Sequence, residues 1–178
     1  MKKNPGTGVL LFYMAINHSM KKILKALSFD GIEVEAARHL ASLKAIDPMK
    51  IFHKTIDYKI YNGDYEVPVR IYLPREKVTE DLPVFLFFHG GGWVTDCIDN
   101  YERICARLAS ATEHIVVSVE YRLAPEHPFP TGFMDCYAVA KAIYTNRFIL
   151  NVNPQRITLI GDSAGGNLAA AVFAESKR

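Results

Sequence analysis

The residues with the clearest chemical potential form the segment Gly161-Asp162-Ser163-Ala164-Gly165 near the end of the sequence. This G-x-S-x-G pattern lies between a predicted buried strand and a predicted helix. A serine in such a tight turn exposes its hydroxyl above the sheet, and a side chain two residues before or after it would collide with the turn. The N–H of Ala164, at the helix start, would point to where an oxyanion forms. The pattern predicts that Ser163 is a nucleophile in acyl transfer. The positions that support its turn are Asp162, Gly161 and Gly165.

A phosphate-binding turn is the alternative interpretation of the same segment. Glycine-rich turns between a strand and a helix can cradle a phosphate group with their backbone amides. The sequence around Ser163 has neither G-x-G-x-x-G nor the G-K-[ST] ending of a P-loop, so we favour the nucleophile.

The second chemical motif is His89-Gly90-Gly91-Gly92-Trp93, which follows a predicted buried strand. Successive glycines leave backbone amides bare, so two N–H groups can turn toward one anionic oxygen. Such fixed donors suit the tetrahedral intermediate of acyl transfer. For His89, a general base is one interpretation, but we favour a structural role in which a ring nitrogen bonds nearby backbone and holds the glycine turn.

Apolar and alternating segments predict the sheet that would position these motifs. Two alternating strands, at about 52–61 and 65–73, flank a hairpin connection at Asn62-Gly63-Asp64. Short apolar runs predict buried strands at 84–88, 115–119 and 156–160, with helices at about 101–112 and 132–144 between them. The pattern indicates an α/β fold with a mostly parallel sheet and a leading antiparallel hairpin. Both glycine-rich motifs fall at the carboxyl ends of strands, where ligands collect.

The helix at about 101–112 carries two more detailed predictions. Asp99 or Asn100 is expected to cap its first turn, because short polar side chains accept hydrogen bonds from free N–H groups there. Ile104 and Leu108 are expected to face the core, because they lie four residues apart on one helix face.

Composition excludes several classes of protein. The 178 residues suggest one domain, and 49% hydrophobic with 22% charged residues is ordinary globular composition. A net charge of +2 gives no strong field for nucleic acid. Three cysteines without a C-x-x-C pair indicate reduced thiols and a cytoplasmic protein. The apolar run at 9–16 is too short for a membrane span, and no cleavage site follows it, so we expect an N-terminal helix.

A third segment, Tyr121-Arg122-Leu123-Ala124-Pro125-Glu126-His127-Pro128-Phe129-Pro130, completes a resemblance. Together with the two glycine-rich motifs, it resembles the hormone-sensitive-lipase-like family of α/β-hydrolases, which includes carboxylesterases and lipases. The resemblance implies an α/β-hydrolase fold, with residues 1–48 as a helical cap segment and residues 49–178 as the N-terminal part of the core.

The resemblance also implies a function and a site. Ser163 would be the nucleophile in hydrolysis of a carboxylic ester with a short to medium acyl chain. The amides of Gly91, Gly92 and Ala164 would form the oxyanion hole. The resemblance implies no metal or organic cofactor, and we expect a small-molecule ester as the substrate. Glu126 and His127 would brace their loop, since the family places its catalytic histidine after the serine.

The sequence departs from the family after Ser163. An α/β-hydrolase triad runs Ser, then Asp or Glu, then His, but all six histidines precede Ser163 and no aspartate follows it. Glu175 lies roughly 18 Å along the same helix, too far to orient a base. We therefore expect a C-terminally truncated hydrolase, nearly inactive alone. The strand at 156–160 would be an exposed edge, open to a completing chain or a homo-oligomer.

Two other functions stay open. The chain could be a non-catalytic small-molecule binder or receptor on the same fold, as some relatives of the family are. It could also act on an amide or a deacetylation substrate, which the same triad can serve.

Overall fold

The computed structural model describes residues 34–35, 37–39, 55–75, 82–145, 148–150 and 152–177. The strands are β1 (Thr55–Asn62), β2 (Tyr65–Tyr72), β3 (Val84–Phe88), β4 (Ile115–Val119) and β5 (Ile157–Gly161). The helices are α1 (Glu102–Thr112), α2 (Thr131–Tyr144) and α3 (Ala164–Glu175), and a 3₁₀ turn over Ile98–Tyr101 precedes α1. The three buried strands and three helices predicted from the sequence are confirmed to within one or two residues.

The five strands form one sheet in the order β1-β2-β4-β3-β5. β3 pairs in parallel with both β4 and β5, whereas β2 pairs antiparallel with both β1 and β4. Four of the five described strands therefore run in the same direction and β2 runs against them. This arrangement confirms the predicted α/β fold with a mostly parallel sheet and a leading antiparallel hairpin.

The hairpin between β1 and β2 forms where the sequence predicts it. Asn62 pairs with Tyr65 across the two-residue turn Gly63-Asp64, and the Asp64 N–H donates to the Asn62 carbonyl at 2.7 Å. Gly63 has a φ of +67°, and a Cβ added to it would meet no atom within 4 Å. Glycine suits this turn because it adopts positive φ without steric cost.

Each face of the sheet is covered by helices. Val84, Leu86 and Phe88 of β3 belong to a large buried cluster that includes residues of α2 and α3. The alternate residues Phe85 and Phe87 turn toward α1 on the other face, because successive strand side chains point in opposite directions. β3 is apolar on both sides because both sides are covered.

The capping residue of α1 and part of its inner face differ from the prediction. The helix cap is Tyr101, without a side-chain cap hydrogen bond, since the 3₁₀ turn moves Asp99 out of reach. Asp99 instead accepts from Arg70 at 2.7 Å. Ile104 is 54% exposed, so its expected inward position is wrong. The buried residues of this helix are Cys105, Ala106 and Ala109, whose small side chains let it lie close to β4.

A buried ion pair joins α2 to the hairpin and to the segment after β4. Asp135 is fully buried, and its carboxylate accepts from the Arg122 N–H at 3.1 Å, from Arg122 Nε at 2.9 Å and from Arg122 Nη2 at 2.8 Å. Asn62 Nδ2 donates to the same carboxylate at 2.8 Å. The Arg122 guanidinium also lies 4.3 Å above the ring of Tyr65. The charge of Asp135 is therefore satisfied from two other parts of the fold.

Little of the predicted cap segment at 1–48 is described. Residues 34–35 and 37–39 are helical, and the rest of that segment lies outside the described residues. Arg38 makes a bidentate contact with Glu126, with both nitrogen–oxygen distances at 2.9 Å, and its Nε donates to the Val94 carbonyl at 2.9 Å. These contacts place helical residues of the segment against two loops at the carboxyl ends of strands. Across the described ranges, no helix has the length and apolar character that a membrane crossing requires.

Candidate active site

Ser163 occupies a strained turn between β5 and α3. Its backbone has φ +47° and ψ −116°, a conformation that costs non-glycine residues about 1–3 kcal/mol. Ser163 is the N-cap residue of α3 and is half-buried. Strain of this kind turns a short side chain out of the sheet at a helix N-terminus, where partial positive charge favours a developing anion.

Close backbone packing explains the two glycines around Ser163. A Cβ on Gly165 would overlap the Phe88 carbonyl oxygen and lie 2.6 Å from that of His89. A Cβ on Gly161 would lie 2.5 Å from the Phe88 carbonyl oxygen. Both glycines therefore allow the turn that holds Ser163 to lie directly against the end of β3.

The glycine turn, formed by His89-Gly90-Gly91-Gly92, leaves the sheet beside Ser163. Phe88, the last residue of β3, pairs with Gly161, the last residue of β5, so both motifs emerge from neighbouring parallel strands at the same edge. Gly91 and Gly92 have φ values of +91° and +63°. The Gly91 carbonyl accepts from the N–H of Thr95 at 2.9 Å, which closes the turn.

The amides predicted to bind an oxyanion are free of internal carbonyl partners. Within residues 82–145 and 152–177, the N–H groups of Gly91, Gly92 and Ala164 donate to no backbone oxygen. Ala164 is the first residue of α3, where helix geometry leaves the N–H without an intrahelical acceptor. Their role in an oxyanion hole stays a prediction, and their lack of internal partners is the condition it requires.

His89 lies inside the protein. It is fully buried, its ring stacks on Tyr121 at 4.3 Å, and its Nδ1 lies 3.0 Å from the Gly90 carbonyl oxygen. The Tyr121 hydroxyl donates to the carbonyl oxygens of His89 at 2.8 Å and Gly90 at 3.2 Å. These contacts fit a structural role at the base of the glycine turn.

Burial also sets the protonation of His89. It lowers the pKa of the imidazole to about 4, because the charged form is poorly solvated there. In the unfolded chain the His89 imidazole has an ordinary pKa of ~6.5. Between pH ~4 and ~6.5 this group therefore binds more protons in the unfolded chain than in the folded chain. We expect the free energy of unfolding contributed by this group to be complete above pH ~6.5 and to fall as the pH drops toward ~4.

This expectation can be checked by urea unfolding at several pH values between 7 and 4, alongside NMR titration of the ring. His89→Asn should flatten the pH dependence relative to the parent chain, since the difference isolates this group from other titrating residues. A His89 ring that titrates at ~6.5 in the folded protein would contradict the prediction.

Asp162 and Tyr101 connect the two motifs. The Tyr101 hydroxyl donates to Asp162 Oδ2 at 2.9 Å and accepts from the Gly90 N–H at 3.3 Å. A Cβ on Gly90 would lie 2.6 Å from the same carboxylate oxygen. Burial raises the pKa of Asp162, and the bond from Tyr101 opposes that shift. Sequence reasoning did not single out Tyr101 because only the fold brings it to this position.

A cavity opens beside the glycine turn. It has a volume of about 370 Å³ and is lined mainly by apolar side chains, with Gly92 and Trp93 on one side and Leu168 of α3 on another. Phe129 and Phe133 complete the apolar wall. A space of this size beside the glycine turn and α3 fits a small apolar group.

Glu126 and His127 lie on the rim of the site. The Arg38 guanidinium holds the pKa of the Glu126 carboxyl at about 2, so that carboxyl is charged at neutral pH. The backbone N–H of His127 donates to the Leu123 carbonyl at 2.9 Å. His127 also lines the 370 Å³ cavity. Both residues are positioned as expected for a brace of the loop after β4.

No base is in place beside Ser163 in the part of the chain that the structure describes. No hydrogen bond there joins Ser163 to a histidine, and the ring nitrogen contacts of His89 and His114 are with backbone carbonyls. The three cysteines are free, and burial raises the pKa of the half-buried Cys97 thiol, which makes it a poor nucleophile.

Comparison with known proteins identifies a family whose profile matches more than half of this chain. The family profile described as the alpha/beta hydrolase fold matches residues 85–178. Carboxylesterase NlhH of Mycobacterium tuberculosis is 40% identical over 147 residues, which covers 80% of this chain and 44% of NlhH. An arylesterase of Saccharolobus solfataricus is 38% identical over 143 residues, which covers 80% of this chain and 45% of the arylesterase.

A solved structure shows the same architecture. The carboxylesterase EstE1, cloned from a metagenomic library, aligns with a TM-score of 0.68 at 39% sequence identity. The alignment covers 82% of this chain and 48% of EstE1. The chain thus spans about half the length of the relatives it matches.

Proposed function

The chain belongs to the α/β-hydrolase fold family, and from that premise we propose that it carries the nucleophile and oxyanion donors of a serine hydrolase that cleaves carboxylic esters. The observation that carries the proposal is the strained Ser163, held at the edge of the sheet where the glycine turn also emerges. Its carboxylesterase relatives support the same reaction class.

The proposed chemistry is acyl transfer in two steps. Ser163 Oγ attacks the ester carbonyl carbon while a base removes its proton, and the carbonyl oxygen gains the negative charge. The amides of Gly91, Gly92 and Ala164 stabilise that charge; losing one such donor costs about 2.7–4 kcal/mol in comparable enzymes. The alcohol then leaves with the proton, and water hydrolyses the acyl-serine to release the acid and restore the hydroxyl.

The apolar cavity supports a substrate with a short to medium hydrophobic group. Its volume of about 370 Å³ is at the small end of ligand pockets, and its walls are mostly apolar. A long acyl chain would extend beyond it. Residues 1–48 are proposed to form a cap over the core at 49–178, supported by the contact of Arg38 with Glu126 and Val94.

The polypeptide of these 178 residues is proposed to turn over esters slowly or not at all by itself. No histidine follows Ser163 in it, and the buried His89 faces the backbone. Without a positioned base the hydroxyl keeps its proton and is a weak nucleophile. Binding and the oxyanion donors alone would leave only a small residual rate.

A fluorophosphonate probe tests these statements together. We expect the 178-residue chain to label weakly or not at all at Ser163, and a chain that also supplies an Asp and a His in family order to label strongly. Ser163→Ala is the control and should abolish the label in the longer chain. Strong labelling of the 178-residue chain, lost in Ser163→Ala, would contradict the proposed inactivity. Labelling that persists in Ser163→Ala would overturn the proposed nucleophile.

A non-catalytic binder of small apolar molecules is the second candidate. It is favoured by the formed cavity beside the glycine turn and α3. In the described parts of the chain, moreover, no histidine is hydrogen-bonded to Ser163. Thermal stabilisation by a small ester that is recovered unhydrolysed, in a chain that supplies the complete triad, would support this candidate over the hydrolase.

A further inference from the structure

The three-residue contact among Gly90, Tyr101 and Asp162, here called the tyrosine bridge, links the two motifs of the site. We propose that Tyr101 is a positioning residue that ties the glycine turn to the turn of Ser163 and thereby sets the distance between oxyanion donors and nucleophile. The inference deepens the proposed function and rests on it, because it assigns a role within the same site.

The hydrogen-bonding capacity of the phenol fits this role. A phenol has one proton to donate and an oxygen that accepts. The proton of Tyr101 goes to Asp162 Oδ2 at 2.9 Å, so the oxygen is free to accept from the Gly90 N–H at 3.3 Å. One side chain therefore bonds a residue that precedes Gly91 and a residue that precedes Ser163.

The position of Tyr101 is itself fixed. It ends the 3₁₀ turn and caps α1, and its ring contacts Phe87 at 5.4 Å and His89 at 6.0 Å between centroids. The phenol is thus held by the α1 face of the sheet. A group that is anchored in this way can position two turns that share no covalent connection.

Steric packing adds to the hydrogen bonds. The Asp162 carboxylate and the Tyr101 hydroxyl fill the space where a side chain at residue 90 would lie, at 2.6 and 3.1 Å from the position of a Cβ. Loss of the hydroxyl removes the 2.9 Å hydrogen bond that Asp162 Oδ2 receives from Tyr101, and Oδ1 has no partner within the described residues. Both turns should then move more freely.

Amide hydrogen exchange followed by NMR on the ¹⁵N-labelled 178-residue chain tests the inference. The reporters are the amides of Gly90 and Thr95 in the glycine turn and of Gly165 in the serine turn, which all donate to described acceptors. Tyr101→Phe is expected to speed exchange at all three by roughly five- to ten-fold, since a net hydrogen bond is lost at their junction. The amides of β4 should stay within about two-fold of the parent chain.

A second readout separates positioning from general stability. The hydrogen bond from Tyr101 lowers the pKa of Asp162, so Tyr101→Phe should move the NMR titration of the Asp162 carboxyl carbon to higher pH. Tyr72→Phe is the matched control. Tyr72 is fully buried in the cluster against which Tyr101 packs, but its hydroxyl has no hydrogen-bond partner in the described residues. Tyr72→Phe should change neither the three amides nor the Asp162 titration.

Three results would overturn the inference. One is faster exchange at Gly90 alone, which would make Tyr101 a local partner without coupling. Another is an equal increase at β4, which would make its role a general contribution to stability. The third is an unchanged Asp162 titration. None of these results depends on turnover. Failure of Ser163 to react with a fluorophosphonate in a chain that also supplies an Asp and a His in family order would overturn the proposed function separately.

Discussion

Asp135→Ala is expected to lower the free energy of unfolding by about 3–5 kcal/mol, the cost typical of removing one partner from a buried ion pair. The Asp135 side chain is completely buried and that of Arg122 is 15% exposed, so water cannot replace the lost carboxylate well. The variant would leave a nearly buried guanidinium and the Asn62 amide without their acceptor. Urea unfolding followed by circular dichroism would measure the loss.

A surface pair offers the matched control. Glu66 contacts Lys59 at 3.1 Å, and both side chains are more than 60% exposed. Glu66→Ala should change the free energy of unfolding by less than about 1 kcal/mol, because exposed ion pairs are screened by water and salt. A loss no larger in Asp135→Ala than in Glu66→Ala would show that the Asp135 network is not needed for stability.

Gly165→Ala is expected to destabilise the protein by at least about 2 kcal/mol. Two effects compete at this position in the first turn of α3. Alanine gains up to about 1 kcal/mol from its greater helix propensity. Its Cβ would, however, overlap the Phe88 carbonyl oxygen and crowd that of His89, and backbone atoms cannot move aside as a flexible side chain can. Overpacking costs about 1–3 kcal/mol and occasionally more, and an overlap with fixed backbone lies at the upper end of that range or beyond it. About 2 kcal/mol of destabilisation therefore remains after the helix gain is subtracted.

Thermal or urea unfolding would measure this prediction as well. The control is Gly63→Asn in the hairpin turn, where a Cβ meets no atom within 4 Å and asparagine tolerates the positive φ. That variant should stay within about 0.5 kcal/mol of the parent chain. Equal stability of Gly165→Ala and the parent would mean that β3 and the serine turn do not pack as closely as the structure shows.

Much of the fold could be predicted because its signals are local. A few consecutive residues contain each signal: the apolar run of β3, that of β4, and the Gly63-Asp64 turn of the hairpin. Pairing of such strands into a parallel sheet then follows from the helices between them. The positions of the two glycine-rich motifs at one edge of the sheet followed from the same reasoning, since both come directly after a strand.

Contacts that depend on tertiary structure could not be predicted. Asp135 and Arg122 are 13 residues apart in sequence, and nothing in either segment indicates that they meet beside Asn62. The cap of α1 was mispredicted for the same reason, because a distant arginine, Arg70, binds Asp99, one of the two residues that were expected to cap the helix. The bridge from Tyr101 to Asp162 spans 61 residues and is visible only in the fold.

The positions of the site residues are described by the structure, whereas their roles in a reaction stay predictions. Ser163, the three amides and His89 occupy places that suit the chemistry predicted from the sequence. What each contributes to a reaction stays a prediction that the fluorophosphonate experiment addresses.

The wall of the 370 Å³ cavity has a consequence for engineering. It is built from loops and helices, including Phe129, Leu168 and Ala171, and none of the five described strands contributes a residue to it. Phe129 is 87% exposed, so its replacement removes little buried surface. Leu168, in contrast, is buried in the core. A mutant library confined to exposed positions of this wall such as Phe129 would vary ligand preference while the core and the sheet stay intact.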